Sequence, residues 1–577
     1  MITRTSPKIV RRIGPRLLAL AVLPAALVVP AQAAAPTADG EIPRLEPTVS
    51  EAVAHDESAT LASLAASAAA RPRALPVIPA ERVTVVRDDG FRGDGAVQRE
   101  ATSTGAPSIP FVNFEALSSQ DNFDVFGGRP NPPDTVGDVG PDHYVQMVNL
   151  LFAVYSKTGD ELVPPTDIGA LWADFELPDC TDRSGDPIVV YDQFADRWIL
   201  SQFTTSGLSD PTLPFYNCVA ISTSGDPTGT YYRYAFTTGF NFPDYPKYGV
   251  WRNTYMITTR EFGPTTEYGI GVYGLQRRQM LLGKTAKAIS FFIDGNDPVL
   301  LPLVGDGLLP ADVDDRRRPA RGSTVPLVGT QDDGFGYGAT IDAANVWEFS
   351  VDWRPEPIAT LDFAAQLPVA PFDSVYPCGP DSRDCLPQPG IVNPAQYLDT
   401  LSSRQRPTWR LAYRDFGAYE SLVTNQSVEA APAQAGVRWY EFRRTDGVYT
   451  VHQQGTYAPA DGIHRWMGSI AQDRRGNMAL GYSVVNATSV YPGIRYTGRR
   501  AHDPLGQMTL SEGTIAVGTG VQTTTNSRWG DYTSMNMDPD GCTFWYTNEY
   551  YTAEGQATSS VAWQTRVASF ELPGSAC

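Results

Sequence analysis

Histidine is scarce in this chain, with five among 577 residues (His55, His143, His452, His464 and His502), which argues against a histidine-rich metal centre. Cysteine is limited to six, none at C-x-x-C spacing, so zinc ribbons and thioredoxin-type redox motifs are absent. Cations are few: 45 Lys and Arg against 64 Asp and Glu give a net charge of −19, unsuited to a surface that grips nucleic-acid phosphates. There is no G-x-S-x-G elbow, no H-E-x-x-H and no G-x-x-x-x-G-K-[ST] loop, which argues against lipase-like, zincin and P-loop chemistry. Long apolar runs are lacking too. The most apolar stretch, LLALAVLPAALVVP, has about 14 residues and falls short of the roughly 20 that span a bilayer.

That stretch follows Arg4, Lys8, Arg11, Arg12 and Arg16 and ends at Ala31, Gln32, Ala33, the order of a secretory signal with cleavage after Ala33. The Arg11, Arg12 pair raises a twin-arginine route, although the residues after it fit that signal poorly. An exported chain is expected to oxidise its thiols, so Cys180, Cys218, Cys378, Cys385, Cys542 and Cys577 read as three disulfides. Sequence proximity favours Cys180 with Cys218, Cys378 with Cys385 and Cys542 with Cys577.

Three segments follow: a signal peptide at 1–33, an Ala/Pro-rich linker or pro-segment at 34–106, and one β domain at 107–577. The linker is expected to be largely disordered, with a helical pattern only from Glu51 to Ala70. Beyond Phe111, aromatic and β-branched runs of five to eight residues alternate with Gly, Asp, Asn and Pro, the signature of strands and turns. Hairpins of one kind recur around turns near Asp138, Asp192, Arg252, Asp473 and Asp538. Their intervals are 54, 60 and 65 residues, except for a gap of 221 with room for three more units. Candidates inside the gap begin at Asn345 and run from Trp409 through Val437.

A four-stranded sheet repeating at about 40 to 65 residues is what a β-propeller blade requires. The expected fold is therefore all-β, a propeller of about seven blades (six to eight), with two or three β-sandwiches as the rival. The last strand, from Trp563, can pair with one near Phe111 and so remove two sheet edges.

The segments PPDTVGDVGPDHYVQMVN, DPIVVYDQFADRWILSQF, RWMGSIAQDRRGNMALGYS and RWGDYTSMNMDPDGCTFWYTNEYY resemble a family of large secreted bacterial proteins of unassigned function. The resemblance implies export and a propeller-like fold and transfers no catalytic residue. A weaker one is to sialidase-type propellers. Asp538, Asp540, Gly541, Thr543 and Trp545 are similar to their Asp-box turn, but Asp540 abuts Gly541 without the usual intervening residue.

Positions that lead into the first strand of each unit carry Asp134, Asp186, Lys247, Arg465, Arg528 and Asp531, with Trp466 and Trp529 beside two of them. Charges converging with indole platforms suit recognition of a polysaccharide or cell-surface glycan. Asp186 and Asp531 are the candidate acid and base of a glycoside hydrolase or polysaccharide lyase; alternatively each caps the turn before its strand. Glu549 is either a channel carboxylate or a paired edge residue, and Arg495, Arg499 and Arg500 either clamp an acidic sugar or are solvated. No cofactor is required by the sequence; Asp538 with Asp540, or Asp294 to Asp297, can offer oxygen ligands for calcium, although two close Asp side chains in a turn more often hold no metal. The reading is of an extracellular monomer that binds a glycan, with a carbohydrate-active enzyme as the alternative.

Overall fold

The computed structural model describes residues 42–68, 91, 93–101, 109–263, 268–314, 316–334, 337–374, 384–400 and 406–574. The described chain is predominantly β and falls into seven antiparallel four-stranded meanders, numbered I to VII. Meander I comprises Val136–Val139, His143–Val148, Leu151–Ser156 and Glu161–Asp167; meander II comprises Ile188–Asp192, Arg197–Phe203, Phe215–Ser222 and Tyr231–Gly239. Meander III is Phe242–Val250, Tyr255–Phe262, Gly269–Leu275 and Lys287–Asp294; meander IV is Leu309–Val313, Val325–Gln331, Ala343–Asp352 and Ile358–Pro368. Meander V is Thr408–Asp415, Glu420–Ala431, Gln434–Thr445 and Val448–Tyr457; meander VI is His464–Gln472, Met478–Val485, Tyr491–Arg499 and Gly513–Gly518. Meander VII takes Ser534–Met537, Phe544–Tyr551 and Trp563–Phe570 and is completed by Val112–Ser118 from the other end of the chain.

Burial falls from the first strand of a meander to the last. Every residue of Ile188–Asp192 and His464–Gln472 is buried, whereas Glu161–Asp167 and Ile358–Pro368 are largely half-exposed. The first strands pack side by side in chain order, and that of VII returns to that of I, closing a ring. Polar side chains on these strands bond sideways to the next backbone. Asp138 accepts from Tyr191 N at 2.7 Å, Asp312 from Val250 N at 2.9 Å, and Ser469 Oγ from Met535 N at 3.0 Å. Between IV and V the contact becomes true parallel pairing, Ala311–Val313 with Leu411–Tyr413. Gly249 lies where a Cβ would meet the Ala311 carbonyl at 2.5 Å, so this approach requires glycine.

The expected closure joins Val112 to Ser569 and Glu115 to Arg566, which covers the edge of Trp563–Phe570 and makes Val112–Ser118 the outer strand of VII. The 221-residue gap holds two meanders rather than three. Asn345 lies in the third strand of IV, and Trp409 and Val437 lie in the first and third strands of V. Long connections at 314–324 and 369–407 fill the remaining length.

The N-terminal segment departs from the expected disorder. Thr48–Glu51 adds an outer strand to III and Ala54–Glu57 one to II, while Val97–Gln98 pairs in parallel with V. The helix expected over 51–70 is confined to Leu61–Ser67, because residues 48–57 find free sheet edges to pair with. Leu61 is fully buried, Asp56 bonds Arg233 through both oxygens, and Asp94 pairs with Arg438 where both are fully buried. Cys180 and Cys218 form a disulfide with a Cα–Cα distance of 5.9 Å. Cys385 and Cys542 are also disulfide-bonded. Cys378 and Cys577 lie outside the described residues, as does the segment 1–33 expected to be a signal peptide cleaved after Ala33.

If the arm at 42–68 is integral, Leu61→Ala costs about 2–4 kcal/mol of stability and lowers the thermal unfolding midpoint. An unchanged midpoint would show that the arm is a detachable tail.

Candidate functional site

Loops that lead into the first strands form one face of the ring, called here the entry face. Asp134 and Asp186 each stand two residues ahead of a first strand, with φ of 49° and 41°. Tyr245, at φ 52°, makes the same kink inside the first strand of III, where a bulge separates Asp244 from Lys247. Positive φ is strained for a side chain with a Cβ, and Asp tolerates it better than most. These kinks turn three adjacent loops inward toward the ring axis.

The result is a cluster of buried charge. Asp134 accepts from Asp531 N at 2.7 Å and from Asn149 Nδ2 at 2.5 Å, and Asn149 Oδ1 in turn accepts from Asp186 N at 3.0 Å. Lys247 lies 2.9 Å from the centre of the Tyr245 ring and 3.8 Å from that of Tyr532, with Arg406 on Tyr245 at 3.7 Å. The Tyr532 hydroxyl donates to Pro246 O at 3.1 Å and reaches Asp186 Oδ2 at 3.4 Å. Arg528 holds Asp531 at 2.5 Å and approaches Asp399 at 3.5 Å. Depth separates these groups: Asp134 is 2% exposed and Asp186 5%, whereas the Asp531 and Arg528 side chains are 13% and 23% exposed.

Burial sets the protonation of this cluster. Desolvation, then repulsion from Asp531, pushes Asp134 up to about 7. Asp186 is raised well above the carboxylate range by burial and by the charges of Asp134, Asp244 and Asp531, which Lys247 only partly offsets. Burial and then Arg406 hold the Lys247 ammonium well below its ordinary value. Arg528 is shifted upward, since Asp531, Asp399 and Asp134 outweigh its desolvation. Glu549 accepts from Gly530 N at 2.5 Å through one oxygen, while its other oxygen is buried without a partner, and burial raises its pKa. It is thus a buried acid beneath the cluster rather than an edge residue. Farther along the first strands, Arg410 bridges Asp312 and Asp314, so charged side chains fill the ring interior at this level as well.

Five of the eight entry positions therefore come together: Asp134, Asp186, Lys247, Arg528 and Asp531. Arg465 does not join them, because Asp461 and Glu512 hold it at 2.7 and 2.8 Å. Trp466 and Trp529 are not platforms. Both are buried in the core with ring centroids 5.2 Å apart, and Trp529 donates to Ser483 Oγ at 3.1 Å. Asp244, Tyr245, Arg406 and Tyr532 belong to the cluster and went unnoticed in the sequence. Their signal is the offset that Asp134 and Asp186 share ahead of a buried strand, displaced in III by the bulge.

The carboxylates at the calcium positions have protein partners. Asp538 pairs with Lys157 at 2.7 Å and accepts from Trp545 Nε1 at 3.0 Å, and Asp540 caps its turn through Cys542 N and Thr543 N. Asp294 and Asp297 likewise cap Asn296 N and Val299 N. Arg495 pairs with Glu512, while Arg499 and Arg500 donate to the carbonyls of Gln507 and Pro573, so these three form no clamp. Among the described residues, Asp332, Asp333 and Asp342 can bring three carboxylate oxygens within 4.8 Å of one another, yet Asp332 and Asp342 already accept backbone N–H groups.

No protein-family model matches the sequence, and no curated protein matches it. Among solved structures, the chain is similar to an unknown-function protein from Dyadobacter fermentans at 10% identity and TM-score 0.33, covering 85% of this chain and 99% of that one. It is similar to the N-terminal domain of Nup159 at 9% identity and TM-score 0.31, covering 83% and 100%. A thermostable family-43 glycoside hydrolase follows at 12% identity and TM-score 0.24, covering 59% and 96%. Nothing about this chain's ligand or reaction follows from likenesses of that size.

A carboxyl whose folded pKa is raised contributes stability below its unfolded pKa of about 4, and this is lost as pH rises through the folded value. Those values are about 7 for Asp134, Asp332, Asp342 and Glu261 and about 8 for Asp138. His464, His452 and Lys247, all pushed down by burial, act in the opposite sense but are fewer than the raised carboxyls. The thermal midpoint is therefore higher at about pH 6.5 than at about pH 9, and Asp134→Asn removes part of the difference. A midpoint that holds or rises toward pH 9 would contradict the protonation described.

Proposed function

We propose that the seven meanders are the blades of a seven-bladed β-propeller, exported from the cell, whose entry face binds an extracellular glycan. One observation carries this reading: the buried Asp134 and Asp186, whose carboxyl pKa values burial raises, lie beside a rim where the ion-paired Asp531 and Arg528 side chains reach solvent. Neutral carboxyls both donate and accept, carboxylates accept and guanidinium donates, so the face offers each kind of partner that sugar hydroxyls need. The Cys180–Cys218 disulfide agrees with an oxidising compartment. Among the described residues no helix is long and apolar enough to cross a membrane.

The difference between Asp186 and Asp531 favours a second reading, that of a glycoside hydrolase or polysaccharide lyase. Asp186, buried and raised, would keep the proton of a general acid, while Asp531, ion-paired with Arg528, would serve as a base. Such cleavage uses one carboxyl that keeps its proton beside a second that is ionised.

Incubation with a panel of bacterial and plant polysaccharides separates the two. Retention on one polysaccharide without soluble products, weakened at least about tenfold by Asp531→Asn, is the result expected of a binding face. New oligosaccharides by mass spectrometry, reduced about 10²-fold or more in Asp186→Asn, would establish the enzyme. Neither retention nor products would sink both.

A further inference from the structure

Turns that follow the first strands make the opposite, exit face. These turns have three to six residues in six meanders, such as 140–142 in I and 538–543 in VII, but eleven in IV, at 314–324. The long loop carries the densest run of cations in the chain, Arg316, Arg317, Arg318 and Arg321. It reaches across the axis to several meanders. Arg316 Nε donates to Pro539 O in VII at 2.9 Å, Arg318 Nη2 to Phe194 O in II at 2.9 Å, and Arg252 of III to Pro319 O at 3.1 Å.

Between these anchors lies a pocket of about 330 Å³. Arg316 and Arg318 form its charged side, and Pro141, Tyr191, Phe194 and Pro539 supply apolar walls. The one acid lining it, Asp196, already accepts the Tyr191 hydroxyl at 2.6 Å. Each arginine is fixed by a carbonyl through one N–H group, and among the described residues its remaining guanidinium N–H groups make no hydrogen bond to the protein. Arg318 also lies 5.3 Å from the centre of the Phe194 ring, which further orients it.

We infer that this pocket is a second binding site, on the face away from the carboxylate cluster, for a carboxylate borne on a saccharide-sized ring. Two pre-oriented guanidinium groups read an oxyanion through paired charge-assisted hydrogen bonds. Aromatic and proline walls meet the C–H face of a ring, and a volume of this size holds one or two sugar units. The entry cluster is built mainly from carboxyls and this pocket from guanidinium groups, so the two sites differ in composition.

Isothermal titration with glucuronate, glucose and inorganic sulfate, at low salt, tests the assignment. Glucuronate is expected to bind and glucose not to, with the Arg316→Gln, Arg318→Gln double variant weakening glucuronate at least about tenfold. Both arginines are exposed, so the variant keeps its unfolding midpoint and its retention on any polysaccharide that the entry face binds. Equal binding of glucose, no binding of glucuronate, or undiminished binding by the variant would overturn the site. Sulfate binding as tightly as glucuronate would show that the walls read no ring and would overturn the ligand class.

Discussion

A ring of meanders holds only if its last sheet meets its first, and in this chain that seam joins residues about 450 positions apart in sequence. Trp563–Phe570 pairs with Val112–Ser118, and Gln146 of meander I donates to both Thr547 and Thr565 of meander VII at 2.9 Å. The Gln146 carbonyl accepts from Leu117 N at 2.9 Å, so one side chain ties three strands across the seam. Asp134 continues the same seam at the entry face by accepting from Asp531 N. The candidate site is therefore built on ring closure: the buried Asp134 comes from the loop before the first meander and the more open Asp531 from the loop before the last.

Packing first strands side by side around one axis also concentrates charge. Their side chains point into a narrow space, and polar ones are tolerated there because they bond across to the next strand. Where cations balance them, as with Arg410 between Asp312 and Asp314, the groups remain an ion-paired network. At the entry face carboxyls outnumber cations, and neutral carboxyls are the cheaper solution. Solvent reaches this excess near Asp531, Arg528 and Asp244, which places deep acids beneath an open rim.

The sequence carried the units more clearly than their count or their site. Hairpins around Asp138, Asp192, Asp473 and Asp538 were legible because a buried strand, a polar turn and a second buried strand leave a local pattern. The strand near Phe111 was legible as the partner of the last because unpaired edges are costly. Meander IV was not, since its eleven-residue loop breaks the spacing that the other units keep. Asp134 and Asp186 could be found from their offset ahead of a strand, but the bulge at Tyr245 moves Asp244 and Lys247 out of step. Trp466 and Trp529 misled because sequence position next to a charge does not say which way an indole points; these pack against each other in the core. The arm at 48–57 looked unstructured because its strands exist only through pairing with meanders II and III.

The protonation of Asp134 is the point on which the account of the entry face rests. Infrared difference spectroscopy between the wild-type chain and Asp134→Asn isolates that carboxyl. The account predicts a protonated carboxyl band at about pH 6 that fades around pH 7 and is missing from the variant. A carboxylate already formed at about pH 5 would contradict it.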